Sequence, residues 1–326
     1  MANYAVKLDD SAHLDRLINE TDKSSVLINR IGCETIGYRI FDKQNNRELA
    51  LLHRDSEVEP PKQGWKNHAT VLFPFIGRLI DNKSRLGDKI ISNPGLHGFA
   101  RRALFAVVDS ETKGRAAIHY RLTANAETRK LYPFEFQFDI TYALKGNILT
   151  ATFEIRNPAD KEDLYYSFGW HPGFRTPVID GLGTKMGCQV LFNKGVYKSH
   201  LVDKDCNLTG EVKELQLDGP LQTTEEELQG TILLEIEKPE NRLCTLRDPL
   251  AGLDLAVDFK DFPHVGLWAD VGVNFICIEP WQGMDDHVQQ RTFDQKFGIM
   301  KLAPGEVDRR NVTVTPRFKK AGKKKA

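Results

Sequence analysis

The sequence predicts an all-β protein built as a large antiparallel β-sandwich, and three observations lead to this fold class. Apolar and polar residues alternate strictly over 134–144, which is typical of a half-buried strand. Gly146 and Asn147 then supply a two-residue turn, and the alternation resumes over 149–155, so the two segments predict a hairpin. Helical periodicity is scarce, and many short strands joined by turns favour a sandwich over an α/β fold.

Weaker versions of the same pattern predict the remaining strands. Alternation recurs clearly at 253–259 and more loosely at 103–108, 116–122, 231–236 and 311–315. Apolar runs at 70–76, 164–168 and 275–278 indicate strands that are buried on both faces. Two short helices are predicted as well, one over 10–20 beginning at Asp10 or Ser11, and one over 223–229.

The domain organisation follows from an even composition. No composition break or Ser/Gly-rich linker divides residues 24–315, so residues 1–316 are predicted to form one domain. Residues 317–326 hold six basic residues and no acidic one, which predicts a basic disordered tail. A solubilising role is the simplest interpretation of that tail, and a targeting or anion-binding patch is the alternative.

Charge and composition limit the classes of partner. The 326 residues have a formal net charge of zero, and because six positive charges lie in the tail, residues 1–316 are acidic by six charges. An acidic body argues against nucleic acid as the main partner. No run approaches the ~20 apolar residues of a membrane helix. The N-terminus lacks the apolar core of a signal peptide. The five cysteines are scattered, which indicates reduced thiols. We therefore expect a cytoplasmic protein that does not enter a membrane.

Cofactor and metal motifs are missing from the sequence. The glycines of 181–187 have the spacing GxGxxxG outside any βαβ pattern, so a turn is favoured over a phosphate-binding loop. The sequence contains no Walker A loop, GxSxG elbow or HExxH helix. Its nine histidines form no His-x-His group, and there is no CxxC pair. We therefore predict neither a metal site nor a cofactor.

Three segments combine polar side chains with glycine, proline and aromatic residues. They are 73–78 (FPFIGR) followed by 96–101 (LHGFAR), 167–174 (SFGWHPGF) and 277–283 (CIEPWQG). Each is predicted to end a strand. Aromatic faces beside a few fixed polar groups are typical of a sugar-binding surface, since a pyranose has apolar C–H faces and a polar rim. Glu279 follows an apolar run, so its carboxylate is predicted to be buried and its pKa raised unless it is hydrogen-bonded.

At these segments the chain resembles the aldose 1-epimerase (galactose mutarotase) family, most closely the shorter branch that carries HGFAR, HPxF and CIEPWxG. The similarity runs from about residue 26 to 315, and the three motifs occur in the family's order. The resemblance implies the galactose mutarotase-like β-supersandwich. It also implies an isomerase that acts on an aldose at C1, has a small-molecule sugar as its partner and needs no cofactor.

The resemblance also implies roles for individual residues. Glu279, inside EPW, matches the general base, and His171, in HPxF, matches the general acid that protonates the ring oxygen. His97, before GFAR, matches a second histidine at the same region of the sugar. Arg78 matches the substrate-binding arginine. One departure concerns an aspartate that grips sugar hydroxyls in the family, because Gly230 stands here before the corresponding strand.

The residues alone leave other interpretations open. His97 and His171 could be turn histidines, and Glu279 could be the buried ion-pair partner of an arginine. Trp281 and Trp170 could form either core or sugar platform. Two candidate arginines for Glu279 are Arg78 and Arg101.

Other functions on the same fold also fit the motifs. A hexose-6-phosphate 1-epimerase would use Arg78, Arg101 and Arg102 to bind the phosphate. A non-catalytic sugar-binding protein would keep the groove but lose turnover, which intact His171 and Glu279 argue against. A retaining glycosidase would need a second carboxylate, for which Asp285 or Asp286 are candidates.

Overall fold

Antiparallel sheets make up nearly all of the regular structure. The computed structural model describes residues 2–92, 95–289 and 291–319. The strands in these ranges are β1 (Tyr4–Lys7), β2 (Leu14–Asn19), β3 (Ser24–Asn29), β4 (Glu34–Asp42), β5 (Arg47–Ala50), β6 (Ala69–Leu72), β7 (Lys83–Leu86), β8 (Lys89–Ser92), β9 (Ala106–Glu111), β10 (Ala116–Thr123), β11 (Gln137–Lys145), β12 (Ile148–Arg156), β13 (Leu164–Tyr166), β14 (Phe168–Arg175), β15 (Gln189–Phe192), β16 (Gly195–Val202), β17 (Leu208–Leu217), β18 (Ile232–Glu235), β19 (Leu243–Asp248), β20 (Leu253–Asp258), β21 (His264–Trp268), β22 (Phe275–Gln282), β23 (Met300–Leu302) and β24 (Val307–Phe318). The α-helices are α1 (Ala126–Leu131) and α2 (Glu225–Gln229).

Two large sheets dominate the architecture. One has the strand order β15-β19-β20-β24-β12-β11-β10-β9, and the other has the order β17-β16-β18-β21-β22-β14-β6. A five-stranded meander of β1 to β5, the β7-β8 hairpin and a two-stranded sheet of β13 with the distant β23 complete the described sheets. The predicted all-β, antiparallel sandwich is therefore confirmed.

The core lies between the two large sheets. Phe138 on β11 and Phe153 on β12 contact Phe168 on β14, with ring centroids 6.2 and 6.0 Å apart. All three rings are completely buried. Burial of one such ring contributes about 1.5–3 kcal/mol, so these contacts fix the sheet that carries β14 against its partner.

The predicted hairpin is confirmed, with a later start. Lys145 pairs with Ile148 across the Gly146–Asn147 turn, and Gly146 has the positive φ of 60° that this turn requires. The ladder begins at Gln137 rather than at 134. The chain turns sharply just before it, because the N–H of Phe134 donates to the carbonyl of Tyr132 across Pro133.

The helix predicted over 10–20 is wrong, because this segment contains β2. Burial in β2 alternates with a period of two, and Asp15 and Leu17 are fully buried. The buried carboxylate of Asp15 accepts two hydrogen bonds from Arg30, at 2.8 and 2.7 Å. The charge-assisted pair stabilises the extended conformation, in which β2 lies between β1 and β3.

The second predicted helix is confirmed as α2. The side chain of Thr224 accepts the N–H of Glu227, and the Glu227 carboxylate accepts the N–H of Thr224, which forms a capping box. Both described α-helices are short, and within the described ranges no helix is long and apolar enough to cross a lipid bilayer.

The predicted boundary at 317 needs correction. Arg317 pairs with Asp254 and Phe318 with Leu253, so β24 continues past the domain end that composition suggested. Phe318 also packs against the core, which a count of charges does not reveal. The rest of the predicted tail, 320–326, lies outside the described residues.

Two truncations test this boundary. A chain ending at 316 is expected to lose about 2 kcal/mol of unfolding free energy, because it loses the partial burial of Phe318 and several backbone hydrogen bonds. A chain ending at 319 is expected to unfold like the full-length protein. Urea denaturation of both chains measures the difference, and equal stability of the two would show that the end of β24 contributes nothing.

Candidate active site

Neighbouring strands β14 and β22 bring the two principal candidate residues together. Residues of a strand point alternately to its two faces, and on β22 the odd-numbered Cys277 and Glu279 lie opposite to the core residues Ile276 and Ile278. The pairing Gly169↔Trp281 and Gly173↔Cys277 sets the register. This register places His171 across from Glu279 on the face that points away from the core.

The strands are longer than the sequence predicted. We expected each motif to end a strand, but HPGF lies inside β14 and EPW lies inside β22. The prolines are accommodated in the sheet, where Pro172 pairs with Ala69 and Pro280 with Val265. A side chain held in the middle of a paired strand is more rigidly placed than one on a loop.

His171 and Glu279 form a close buried pair. The Nε2 atom of His171 lies 3.2 Å from the Oε2 atom of Glu279, and the two residues are only 6 % and 1 % exposed. The structure thus pairs Glu279 with His171, not with Arg78 or Arg101 as one interpretation of the sequence had it. Although His171 lies this close, its geometry is not that of a hydrogen bond, and Glu279 Oε2 accepts none from the described residues, so it remains available to a ligand.

His97 comes to the same place from a loop. The N–H of Gly77 donates to Nδ1 of His97 at 3.1 Å, and the N–H of His97 donates to the carbonyl of Gly77 at 2.6 Å. Because Nδ1 accepts a hydrogen bond, the proton of a neutral His97 sits on Nε2. The His97 and His171 rings are 5.6 Å apart, and His97 has a φ of 63°, a conformation that non-glycine residues seldom adopt.

Gly77 is required at this junction for a steric reason. Its φ is +70°, and a Cβ atom placed on it would lie 1.6 Å from Oδ1 of Asp285. The absence of a side chain therefore lets Asp285 approach the loop that holds His97. Gly98 plays a similar part, since a Cβ atom there would lie 2.2 Å from the carbonyl oxygen of Phe73.

These elements enclose a cavity of about 210 Å³. This is below the about 300–1,000 Å³ of pockets for drug-sized ligands, so the cavity suits a single sugar ring. Its lining residues are Trp65, Leu96, His97, Arg101, His171, Cys206, Thr231, Trp268, Glu279, Trp281 and Asp285. Of the residues that the sequence suggested for catalysis or sugar binding, Glu279, His171, His97, Arg101 and Trp281 are in this set, and Arg78 is not.

Three tryptophans supply aromatic walls. Trp65 stacks on His171 with ring centroids 4.9 Å apart, and Trp268 meets Trp65 edge-on at 5.7 Å. Trp281 lines the cavity as well, and it also packs in a small buried cluster with Leu72 and Met284, so it belongs to both the wall and the core. Trp170 instead belongs to the core and donates its indole N–H to the carbonyl of Ala69.

The three candidate arginines are separated. Arg101 lines the cavity, and its guanidinium forms no ion pair in the described ranges. Arg78 is exposed and acts electrostatically on Cys206 at the cavity wall. Arg102 lines a different hollow, together with Phe99 and Lys130. The phosphate-binding group of three arginines considered from sequence is therefore not assembled at one point.

Comparison with known proteins identifies the family. Residues 16–307 match the family model described as aldose 1-epimerase. The chain belongs to the aldose 1-epimerase family. The plasmid-encoded protein LacX of Lactococcus lactis subsp. lactis is 26% identical over 269 residues, which cover 77% of this chain and 86% of LacX.

Solved structures resemble this aldose 1-epimerase family member over nearly its whole length. A galactose mutarotase related enzyme from Lactobacillus acidophilus has a TM-score of 0.79 and 28% identity, covering 91% of this chain and 96% of its own. A galactose mutarotase-like protein from Lactobacillus casei has a TM-score of 0.77 and 24% identity, covering 96% and 100%. The second likeness, at this identity, is evidence for the galactose mutarotase-like fold alone.

Burial shifts the pKa values of three ionisable groups in the cavity of this family member. It lowers the pKa of His171 to about 3, and the positive charge of Arg101 adds to the effect. It raises the pKa of Glu279 well above its usual range, and the charge of Asp285 adds to that rise. Burial also lowers the pKa of His97, with the charge of His171 as a second cause, which favours its neutral form.

Several cavity residues of this aldose 1-epimerase family member were missed in the sequence. Trp65 precedes the first motif by eight positions, and Trp268 ends a short apolar strand, so neither carried a signal of its own. The sequence suggests Asp285 only as the second carboxylate of a glycosidase. Thr231 follows Gly230, the position at which the family has an aspartate. Thr231 lines the cavity and has a φ of 66°.

Proposed function

We propose that this protein interconverts the α and β anomers of an aldose by opening and closing the ring at C1, with Glu279 as general base and His171 as general acid. The observation that carries the proposal is the 3.2 Å contact between His171 Nε2 and Glu279 Oε2 at the wall of a sugar-sized cavity. The two oxygens that exchange protons, O1 and the ring oxygen, are bonded to the same carbon. An acid and a base that serve them must therefore lie side by side.

The proton balance suits this pair. Glu279 takes the proton of the C1 hydroxyl while His171 gives a proton to the ring oxygen, and the C1–O5 bond breaks. The pair begins as carboxylate and imidazolium and ends as carboxylic acid and neutral imidazole, with the same number of protons. After rotation about C1–C2, ring closure on the other face reverses both transfers. Burial favours the neutral form of each group. An opposite charge 3.2 Å away favours the ionic form, so the pair can alternate between the two.

His97 stabilises the reacting oxygens in this proposal. Its Nε2–H is free to donate because Nδ1 is occupied by the N–H of Gly77. A neutral imidazole can donate to a sugar oxygen without competing with His171 for the role of acid. Trp65 and Trp281 hold the apolar faces of the sugar. Each positioned proton-transfer group contributes roughly 10²–10⁴-fold.

Asp285 is proposed to grip sugar hydroxyls in place of the aspartate that is missing near Gly230. It is 6 % exposed, lines the cavity, and acts electrostatically on Glu279. Burial raises the pKa of Asp285 to about 7, and Lys296 opposes the rise. A buried carboxylate with unused oxygen lone pairs in a sugar cavity is well suited to accept hydroxyl hydrogen bonds.

Asp285→Asn is expected to raise KM more than it lowers kcat. A hydrogen bond to a charged group contributes about 1.5–3 kcal/mol, which corresponds to about 10–100-fold in kcat/KM. Steady-state kinetics with the best aldose measures the split. The matched control is Asp286→Asn, because Asp286 contacts Lys296 and the N–H of Ile80 outside the sugar cavity. A larger KM effect in the control than in Asp285→Asn would argue against the grip.

The direct test is anomer exchange on a panel of free aldoses and their 6-phosphates, followed by polarimetry or NMR exchange spectroscopy. Acceleration for at least one sugar supports the proposal. Binding of sugars without acceleration would instead identify a non-catalytic sugar-binding protein. Release of product from a glycoside would point to the glycosidase alternative, in which Asp285 or Asp286 would be the second carboxylate.

A hexose-6-phosphate is the second candidate substrate, because Arg101 is a cation in the cavity wall with no ion-pair partner among the described residues. Arg101→Ala should then raise KM for the 6-phosphate and spare the free sugar, whereas Arg102→Ala, in another hollow, should spare both. We expect the free sugar to be the substrate, so that neither change produces a phosphate-specific loss. A preference of about tenfold or more for the 6-phosphate in wild-type kcat/KM, which is about 1.4 kcal/mol, would reverse this choice.

A further inference from the structure

Cys277 is a buried thiol beside the reacting pair that the proposed reaction does not use. It precedes Glu279 by two residues on β22, so both side chains lie on the same face of the sheet. The residue is completely buried and forms no disulfide. A thiol in this position adds a third potential metal ligand to an imidazole and a carboxylate.

The geometry of the three groups is close to that of a coordination site. Each of His171, Cys277 and Glu279 offers one ligand atom: a ring nitrogen, Sγ and a carboxylate oxygen. These three atoms lie within 4.8 Å of one another. His171 Nε2 and Glu279 Oε2 are already 3.2 Å apart. Zinc bonds of about 2.0–2.2 Å to nitrogen and oxygen at a tetrahedral angle place the two ligand atoms roughly 3.4 Å apart. Rotation of the Cys277 side chain is the main adjustment that a bound ion would require.

A second observation points to a ligand at this position. Glu279 Oε2 is buried and accepts no hydrogen bond from the described residues. An ion held by one nitrogen, one sulfur and one oxygen would have its fourth position towards the cavity, because His171 and Glu279 both line it. Three protein ligands with one open position are the arrangement that zinc adopts outside purely structural sites.

We propose that His171, Cys277 and Glu279 bind one zinc ion, and that this ion inhibits the protein by occupying the acid and the base. Binding converts the Cys277 thiol to a thiolate ligand and releases its proton to solvent. The inhibitory consequence rests on the proposed function, whereas the binding itself does not. The metal-free protein is then the active form. The proposed site departs from the sequence prediction of no metal site, whereas the reaction itself still needs no metal.

Cobalt(II) is the probe for the binding step. Chelator-treated protein titrated with CoCl2 should take up one equivalent and develop the ultraviolet charge-transfer band of a cobalt–thiolate bond, and ZnCl2 should displace it. Cys277→Ser should abolish the band and weaken zinc binding, measured against a chromogenic chelator, by at least about 100-fold, since even outer-shell changes cost 10–100-fold. Cys277→Ala provides a second variant if the serine hydroxyl disturbs folding.

Two matched controls locate the thiol. Cys244→Ser removes an equally buried cysteine in β19 and should keep the band. Cys206→Ser removes the exposed thiol at the cavity wall and should keep it too. A band that survives in both Cys277 variants, or the absence of stoichiometric cobalt binding in the wild type, would overturn the proposal.

The activity arm separates the two proposals. Zinc should inhibit mutarotation of the wild type, and EDTA should restore it, while Cys277→Ser should resist zinc at least about 100-fold better, in line with its weaker binding. Failure of mutarotation in every condition, with the cobalt band intact, would reject the proposed function but not the site. Normal mutarotation without any zinc effect would reject the site but not the function.

Discussion

Glu279→Gln is expected to lower kcat for anomer exchange by at least about 10²-fold while the protein still folds and binds sugar. The amide keeps the size of the carboxylate but cannot accept the C1 hydroxyl proton. Folding should survive because burial raises the pKa of Glu279, so the native carboxylate is held against an unfavourable desolvation that the neutral amide avoids. Polarimetry measures the rate, and urea denaturation measures the stability.

The partner change provides the matched comparison. His171→Asn removes the donor to the ring oxygen and should cost a similar factor in kcat. The double variant should lose much less than the product of the two single losses, because groups that act in one concerted step are not additive. A folded Glu279→Gln protein that binds sugar and turns over at nearly the wild-type rate would show that Glu279 is only a ligand for sugar hydroxyls.

The pH profile carries the signature of the shared proton. The active pair shares one proton. It binds a second proton at low pH and loses the shared proton at high pH, so the pH profile of kcat/KM should be bell-shaped. Because burial lowers the pKa of His171, the acidic limb should lie well below the ordinary histidine range. Because burial raises the pKa of Glu279, the basic limb should lie well above the ordinary glutamate range. In Glu279→Gln the acidic limb should disappear, and residual activity should fall as pH rises through the pKa of His171.

Local patterns were enough to predict several strands and the burial of Glu279, whereas the acid and base roles come from the family resemblance and remain predictions. Alternation over 134–155 predicted β11 and β12, and the apolar run before Glu279 predicted that its carboxylate is buried. The same rule of alternation could not exclude a helix over 10–20. There the decision comes from Arg30, which directly follows β3 and satisfies the buried carboxylate of Asp15.

The remaining walls of the cavity depend on contacts between distant segments. Trp65 lies more than two hundred positions before Trp268 and Asp285 in the sequence. Only the strand order β18-β21-β22-β14-β6 and the loops that flank these strands bring the three side chains together. Arg78 is the opposite case. Its motif position suggested substrate binding, but its side chain is exposed and does not line the cavity. Motifs locate chemistry along the chain, but pairing across the sheet decides which side chains share a cavity.

Gly77→Ala is expected to damage both stability and catalysis. An alanine at φ +70° carries a conformational penalty of about 1–2 kcal/mol, and its Cβ atom would lie 1.6 Å from Oδ1 of Asp285, which adds about 1–3 kcal/mol of overpacking. The clash moves Asp285 and weakens the hydrogen bond that orients His97. Since a misplacement of 1 Å can cost about 10²-fold, kcat/KM should fall by about that factor.

Gly87→Ala is the matched control for Gly77→Ala. Gly87 also has a positive φ, +56°, but nothing lies within 4 Å of a Cβ atom placed there, so this variant carries only the backbone penalty and should keep full activity. Combining Gly77→Ala with Asp285→Ala removes Oδ1 and Cγ from the clash, after which the nearest remaining atom of residue 285 is its backbone α-carbon, 3.0 Å from the new methyl group. The double variant should therefore recover most of the overpacking energy in urea denaturation while its sugar affinity stays low. If Gly77→Ala is no worse than Gly87→Ala in stability and kcat/KM, Asp285 does not need the space that Gly77 leaves, and its proposed place in the sugar site is wrong.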